Sequence, residues 1–363
     1  MRGSDWRRSG AARAVEGGGE CRSAGRVAGA VAVSDGRCGP VFVSVQVMQD
    51  RDRRKTDGRQ LLVGGFLVAD TTLGCTPLWG DKMKDVPNIL LIFTDQQQQK
   101  LMGCYGNSVV QTPRVDALAK EGATFENGIV AQPVCTASRA SLLTGTYGHT
   151  HGCVRNNQVL TEEIPTYGEI FRAHGYRMGY VGKWHCGNEP IPQRGFEGFY
   201  RSMEGKYVAG PLRQQGICTT YDQWLKDRGH MPQKGGATFS DKEVCHFPEE
   251  DSKVAFQAWH VEEFFRTLDE RPFFLTVSIT EPHPPYFGPF DDMYAQEGVD
   301  LPANYHVDEE EISGWSRRTA AFRQFYHELG HNIITSDSND VKEKLARYFG
   351  LISLVDKYLG RIL

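Results

Sequence analysis

From residue 86 onward the apolar residues fall into two alternating patterns. Residues 86–94 (VPNILLIFT), 176–181 and 272–280 (PFFLTVSIT) are near-continuous apolar runs of strand length, and 123–130 offers a further return strand. Runs of that length, rich in β-branched and aromatic residues, predict strands covered on both faces. Helical stretches separate them. Thr112-Pro113 sets a capping residue and a first-turn proline ahead of 114–120, 138–143 reads as a short helix, and 165–174 reads as a longer one closed by Gly175. A helix over 252–268 precedes the strand at 272–280, and the chain closes on an amphipathic helix over 339–363, with Leu345, Phe349, Ile352, Val355, Leu359 and Ile362 near helical spacing. Such alternation predicts an α/β fold: a largely parallel or mixed central sheet flanked by helices. Residues 201–250, rich in Gly, Gln and Asp with weak periodicity, read as a long surface excursion facing the substrate.

Composition divides the chain. Residues 1–82 hold 13 Lys/Arg against 9 Asp/Glu and 14 glycines, with stretches such as RRSGAARAVEGGGE that carry neither period. That segment is expected not to fold, as an N-terminal extension ahead of a start at Met83. Removing its surplus of +4 from the total of −4 leaves −8 on residues 83–363, an acidic domain that argues against nucleic acid as a partner. A rival reading of the junction is a targeting signal: residues 51–75 contain paired arginines, an apolar run at 61–69 and Cys75, but Asp57 and Asp70 interrupt the match. Nine cysteines without CxxC pairs read as free thiols and favour a reducing, cytoplasmic setting, with export as the alternative. No run approaches the ~20 apolar residues of a membrane span.

The polar residues are placed where this scaffold would use them. The three apolar strands end in Asp95-Gln96, in Gly182-Lys183-Trp184-His185 and in Glu281-Pro282-His283, and the carboxyl edge of an open α/β sheet is where ligands bind. Ahead of an apolar helical run, PVCTASRASLLTG sets Cys135 and Arg139 four residues apart: either a buried thiol beside a surface arginine, or a nucleophile beside an anion clamp at a helix N-terminus. The alternate-spaced pair His149/His151 could share a ligand, although surface polarity accounts for it better. Cys104, Cys153 and Cys186 read as structural thiols and Trp184 as a packing residue.

At these residues the chain resembles a known family. CTASRASLLTG is similar to the first sulfatase signature, GYVGKWH to the second, PNILLIFTDQQ to the family's opening metal-binding strand and EPHPPY to its later histidine motif, over roughly 87–363. The resemblance implies an alkaline-phosphatase-like fold and hydrolysis of sulfate esters. It implies that Cys135 is oxidised to formylglycine by a formylglycine-generating enzyme; one hydroxyl of the hydrated aldehyde attacks sulfur and the other, once deprotonated, expels sulfate. By the same resemblance Arg139 holds those hydroxyls and Lys183 neutralises sulfate oxygens. His185 acts as base, while His283 binds sulfate or protonates the leaving alcohol. A hard divalent cation, Ca2+ first and Mg2+ as an alternative, is implied at Asp95, Gln96 and the oxygen of residue 135. Gln96 stands where many relatives carry aspartate, Ala137 stands where proline is commoner, and the chain stops at Leu363 ahead of the strand that in relatives completes the metal site. A sulfate-ester hydrolase acting on a small-molecule or carbohydrate ester is therefore expected, with a phosphonate or phosphate ester hydrolase, or a non-catalytic fragment, as alternatives.

Overall fold

The computed structural model describes residues 86–233, 236–302 and 338–363, together with two strands nearer the N-terminus. Among the described residues seven strands form one sheet: β1 (Ala28–Ser34), β2 (Phe42–Met48), β3 (Asn88–Thr94), β4 (Ala123–Gly128), β5 (Arg177–Gly182), β6 (Tyr200–Ser202) and β7 (Phe273–Ser278). The α-helices of the described residues are α1 (Pro113–Glu121), α2 (Cys135–Thr144), α3 (Gly148–His151), α4 (Tyr167–Ala173), α5 (Gly210–Gln214), α6 (Thr220–Asp227), α7 (Asp241–Val244), α8 (Lys253–Arg266) and α9 (Ser338–Ile362). The spatial order is β4-β1-β2-β3-β7-β5-β6. β3, β7, β5 and β6 run parallel, β2 is antiparallel to both β1 and β3, and β1 is parallel to β4. The sheet is mixed with a parallel half, as the alternating pattern predicts.

Because successive strand residues point to opposite faces, each central strand feeds two cores. Leu90 and Ile92 of β3 join Val181, Leu275 and Val277 beneath Val254, Ala258, Val261 and Phe264 of α8 and Leu354, Val355 and Leu359 of α9. Leu91 and Phe93 turn the other way, against Tyr167, Met178, Tyr180, Trp184, Phe196 and Phe274. Helices on both faces leave the strand ends as the place where polar side chains can gather.

Two parts of the fold depart from the sequence reading. β1 and β2 lie inside the segment expected to stay unfolded; FVSVQVM carries a valine at every second position, AGAVAVS two valines among small residues, and each strand pairs along its length. The rest of residues 1–85, including the apolar run at 61–69 and Cys75, lies outside the described residues. The 201–250 region is no loose excursion. Met203, Tyr221, Leu225, Phe239 and Val244 bury against Phe256 of α8. The missed signal is local: Thr219 and Asp222 form a reciprocal cap on α6, and Tyr221 and Leu225 share a helix face at i, i+4.

α1 starts after Thr112 as expected, but the threonine hydroxyl does not cap it. That oxygen accepts from the Gly103 N–H and donates to Asp116 instead. The free N–H groups of Arg114 and Val115 donate to the buried carboxylate of Asp356 on α9, at 2.9–3.1 Å. One side chain therefore caps one helix and docks another. Asp356→Ala is expected to cost about 1–3 kcal/mol, the range for stranding buried donors and losing a cap. Chemical denaturation of the full chain checks this, and an unchanged midpoint would show that water replaces the carboxylate.

Candidate active site

In the parallel half of the sheet Phe93, Ser278 and Gly182 lie level, so the residues that follow β3, β7 and β5 emerge side by side. Gly182 is required there. It has φ of +115°, and a Cβ on it would come within 2.0 Å of the Ser278 carbonyl oxygen. Cys135 opens α2, and Arg139, one turn later, lies on the same face.

The centre of the cluster is the buried carboxylate of Asp95. Its Oδ2 accepts from Lys183 Nζ at 2.9 Å and from Arg139 Nη2 at 3.2 Å, and Cys135 Sγ lies 3.9 Å from its Oδ1. Burial works against ionisation, but Lys183 and Arg139 outweigh it and hold the carboxyl well below the usual carboxylate range. Arg139 is fixed further by donating from Nη1 to the Lys183 carbonyl at 2.9 Å and to Ser278 Oγ at 2.5 Å. Lys183, fully buried, also faces Glu204 at 3.4 Å, and its pKa stays well above the ordinary lysine value because Asp95 and Glu204 overcome the cost of burial. From Glu204 the ion pairs run outward to Lys206 at 3.7 Å, Asp241 at 2.6 Å and Lys253 at 3.0 Å.

The two histidines are neutral by environment. Burial, then the charge of Lys183, pushes His185 down to about 3 and His283 to about 4. His185 Nε2 lies 3.1 Å from Asn157 Oδ1, its ring stacks on Tyr207 at 3.9 Å, and its Nδ1 is buried with no hydrogen-bond partner among the described residues. His283 Nδ1 donates to the Pro284 carbonyl at 2.7 Å. Burial raises the pKa of the Cys135 thiol above its ordinary value, so as a thiol this residue is not activated.

Gln96 adopts a left-handed conformation, φ 63°. Tyr348 of α9 donates to its carbonyl at 2.5 Å and accepts from the Gln98 N–H at 3.1 Å. The side-chain oxygen of Gln96, next in sequence to Asp95, is buried without a hydrogen-bond partner among the described residues. Asp95 Oδ1 and Gln96 Oε1 suit a hard cation, and among the described residues no group of three or more His, Cys, Asp or Glu converges as a metal site.

The sequence-derived residues Asp95, Cys135, Arg139 and Lys183 meet in direct contact. Burial dominates the titration of His283 and His185, and the charges of Lys183 and Asp95 act on both. The expected surface histidine pair divides: His149 is exposed, whereas His151 is buried, with Nε2 2.9 Å from Ser141 Oγ and Nδ1 accepting from the Cys153 N–H. Sequence reasoning missed Asn157, Ser278, Glu204, Tyr207 and Glu189. The last is a buried carboxyl that accepts the N–H groups of Trp184 and His185 at 3.1 and 3.0 Å. Burial, then the charge of Glu204, pushes it up to about 7.

Comparison with known proteins decides the family. Residues 87–363 match the model of the Sulfatase family. The chain belongs to the sulfatase family. It is 32% identical over 255 residues to an ulvan-active sulfatase of Formosa agariphila, covering 66% of this chain and 45% of that protein. It is 31% identical over 298 residues to an arylsulfatase of Clostridium perfringens, covering 76% and 58%. Among solved structures, the phosphonate monoester hydrolase of Agrobacterium radiobacter superposes with a TM-score of 0.54 at 24% identity, covering 75% of this chain and 57% of that one, a likeness of fold. The sulfatase chain spans about half the length of the curated relatives it matches. Among its described residues no helix is long and apolar enough to cross a membrane.

The charge cluster gives this sulfatase fold a defined acid limit. Burial opposes ionisation of Glu204, but Lys183 and Lys206 win and lower its pKa from 4.5 to about 2. A carboxylate depressed on folding contributes stability that is complete above its unfolded pKa and is lost as pH falls through the folded one. The urea midpoint is expected to fall between about pH 5 and about pH 2, and Glu204→Gln is expected to flatten that decline. An identical slope in the variant would show that Glu204 is not held by its lysines.

Proposed function

We propose that this protein hydrolyses sulfate esters, small-molecule or carbohydrate, through a formylglycine made from Cys135. The observation that carries the reading is the buried Asp95–Lys183–Arg139 cluster at the head of α2, with Cys135 Sγ 3.9 Å from Asp95. A thiol whose pKa is raised by burial is a poor nucleophile, which supports conversion of residue 135 by a formylglycine-generating enzyme. The hydrated aldehyde would supply one hydroxyl for attack on sulfur and a second whose deprotonation releases sulfate. This chain's own residues would do the rest.

Arg139, pinned by Ser278 and the Lys183 carbonyl, would orient the oxygens of residue 135. Lys183 would face the sulfate oxygens, and its burial keeps water from competing for the ammonium. His185, neutral with an unpartnered Nδ1, would take a proton; His283, also neutral, would bind the ester or protonate the leaving oxygen. The ionised groups nearest the centre balance, Lys183 and Arg139 against Asp95 and Glu204, so an anionic ester needs added positive charge. Asp95, Gln96 and the oxygen of residue 135 would hold a hard divalent cation there, Ca2+ first and Mg2+ as the alternative.

A second reading, hydrolysis of phosphonate or phosphate esters by the same residues, is favoured by Gln96. An amide follows Asp95, and the metal site carries one negative charge fewer than a pair of aspartates would give.

Two measurements test the assignment. Protein from cells with the maturation machinery is expected to yield a peptide spanning residue 135 that carries an aldehyde by mass spectrometry; free thiol alone, where a known relative is modified, would refute it. Cys135→Ala is expected to abolish turnover of aryl sulfate while the thermal midpoint stays within a few degrees, since the side chain is only half-buried at a helix start. Faster turnover of aryl phosphonate or phosphate than of aryl sulfate would transfer the assignment to the second reading.

A further inference from the structure

Asn157 stands in the loop between α3 and α4 in a left-handed conformation, φ 64°, and no motif marks it. What holds it is Thr136, the neighbour of Cys135. The Thr136 hydroxyl donates to the His185 carbonyl at 2.8 Å and accepts the Asn157 N–H at 3.1 Å, while the Thr136 N–H donates to Asn156 Oδ1 at 3.1 Å. Asn157 and His185 are thus fixed through one buried hydroxyl. Asn157 closes the ring by placing Oδ1 3.1 Å from His185 Nε2. Tyr207, stacked on the imidazole at 3.9 Å and 26°, opposes rotation of the ring. The other nitrogen, Nδ1, is buried and has no hydrogen-bond partner among the described residues.

A neutral imidazole carries one N–H, and its place is set by the acceptor available. Among the described residues the only hydrogen-bonding protein group on the ring nitrogens is the amide of Asn157. The opposite amide orientation would turn NH2 toward Nε2 and leave an N–H on Nδ1 with nothing to accept it, and a buried orphan donor is the costlier arrangement. We infer that Asn157 is a positioning residue that holds His185 as its Nε2–H tautomer, leaving Nδ1 as the nitrogen free to accept a proton. The consequence for catalysis rests on the reading of His185 as the base; the tautomer itself does not. The charges acting on the ring are Lys183 and Arg139 on one side of the balance and Glu204 and Asp95 on the other, with the Tyr207 phenol against its face.

The full chain labelled with 15N-histidine tests this without turnover, the His185 signals being assigned by their loss in His185→Gln. Long-range 1H–15N correlation at neutral pH is expected to show a protonated Nε2 and a bare Nδ1. Asn157→Ala is expected to shift the ring toward the Nδ1–H form, whereas the near-isosteric Asn157→Asp, which still offers an acceptor, is expected to keep Nε2–H. In the matured enzyme, Asn157→Ala should lower kcat roughly ten- to a hundredfold with little change in KM, the scale of a misplaced general base. Asn157→Asp should move the acid limb of the kcat/KM profile to higher pH, because a carboxylate favours the imidazolium. A protonated Nδ1 in the parent chain, or an unchanged tautomer in Asn157→Ala, would overturn the inference. A tautomer that responds while kcat and the pH profile do not would uphold Asn157 and overturn only the role of His185 as base.

Discussion

The arrangement depends on one buried carboxylate. Asp95 sits at the end of β3 with a lysine from the end of β5 on one oxygen and an arginine from α2 on the same oxygen. Taking three charges out of water costs several kcal/mol per ion unless the geometry is well matched, so such a cluster adds little to stability while penalising any misplacement of its members. The register of the parallel strands, the glycine at 182 and the bond from Arg139 to Ser278 all serve that geometry. What the cluster specifies is a place: the point at which α2 must start.

Around that ionised centre the environment separates groups by charge state. The carboxylates of Asp95 and Glu204 remain ionised because lysine and arginine surround them, and the same cations, with burial, keep His185 and His283 neutral. Groups that titrate near each other in water are pushed apart, which is how one pocket can hold fixed charges beside neutral proton carriers. Cys135 falls on the neutral side, and an unmodified thiol there lacks the driving force to ionise.

Much of this was legible in the sequence because apolar runs announce buried strands and the polar residues that end them announce the edge. Asp95, Lys183 and His283 follow such runs directly, and Cys135 with Arg139 has helical spacing. The residues that were missed act by long-range contact. Glu204 lies 21 positions beyond the lysine it pairs with, Ser278 is an ordinary strand residue until Arg139 reaches it, and Asn157 is one polar residue in a polar loop. The 201–250 segment misled because its core residues are scattered among glycines and glutamines, and only packing against α8 reveals them. Likewise β1 and β2 are short stretches in a low-periodicity segment, made regular by pairing with β3 and β4.

The triplet Lys183-Trp184-His185 carries a further consequence. Lys183 and His185 contribute to the cluster while Trp184 between them is buried among Tyr180, Phe196 and Tyr200. Function and anchorage therefore alternate residue by residue. This segment can drift in sequence, yet it cannot change length: a single inserted or deleted residue would exchange the two sides, sending indole toward the polar cluster and an ammonium into the aromatic core. Over evolutionary time the spacing of these three positions should resist gaps, as should their distance from Glu189, which accepts the N–H groups of Trp184 and His185.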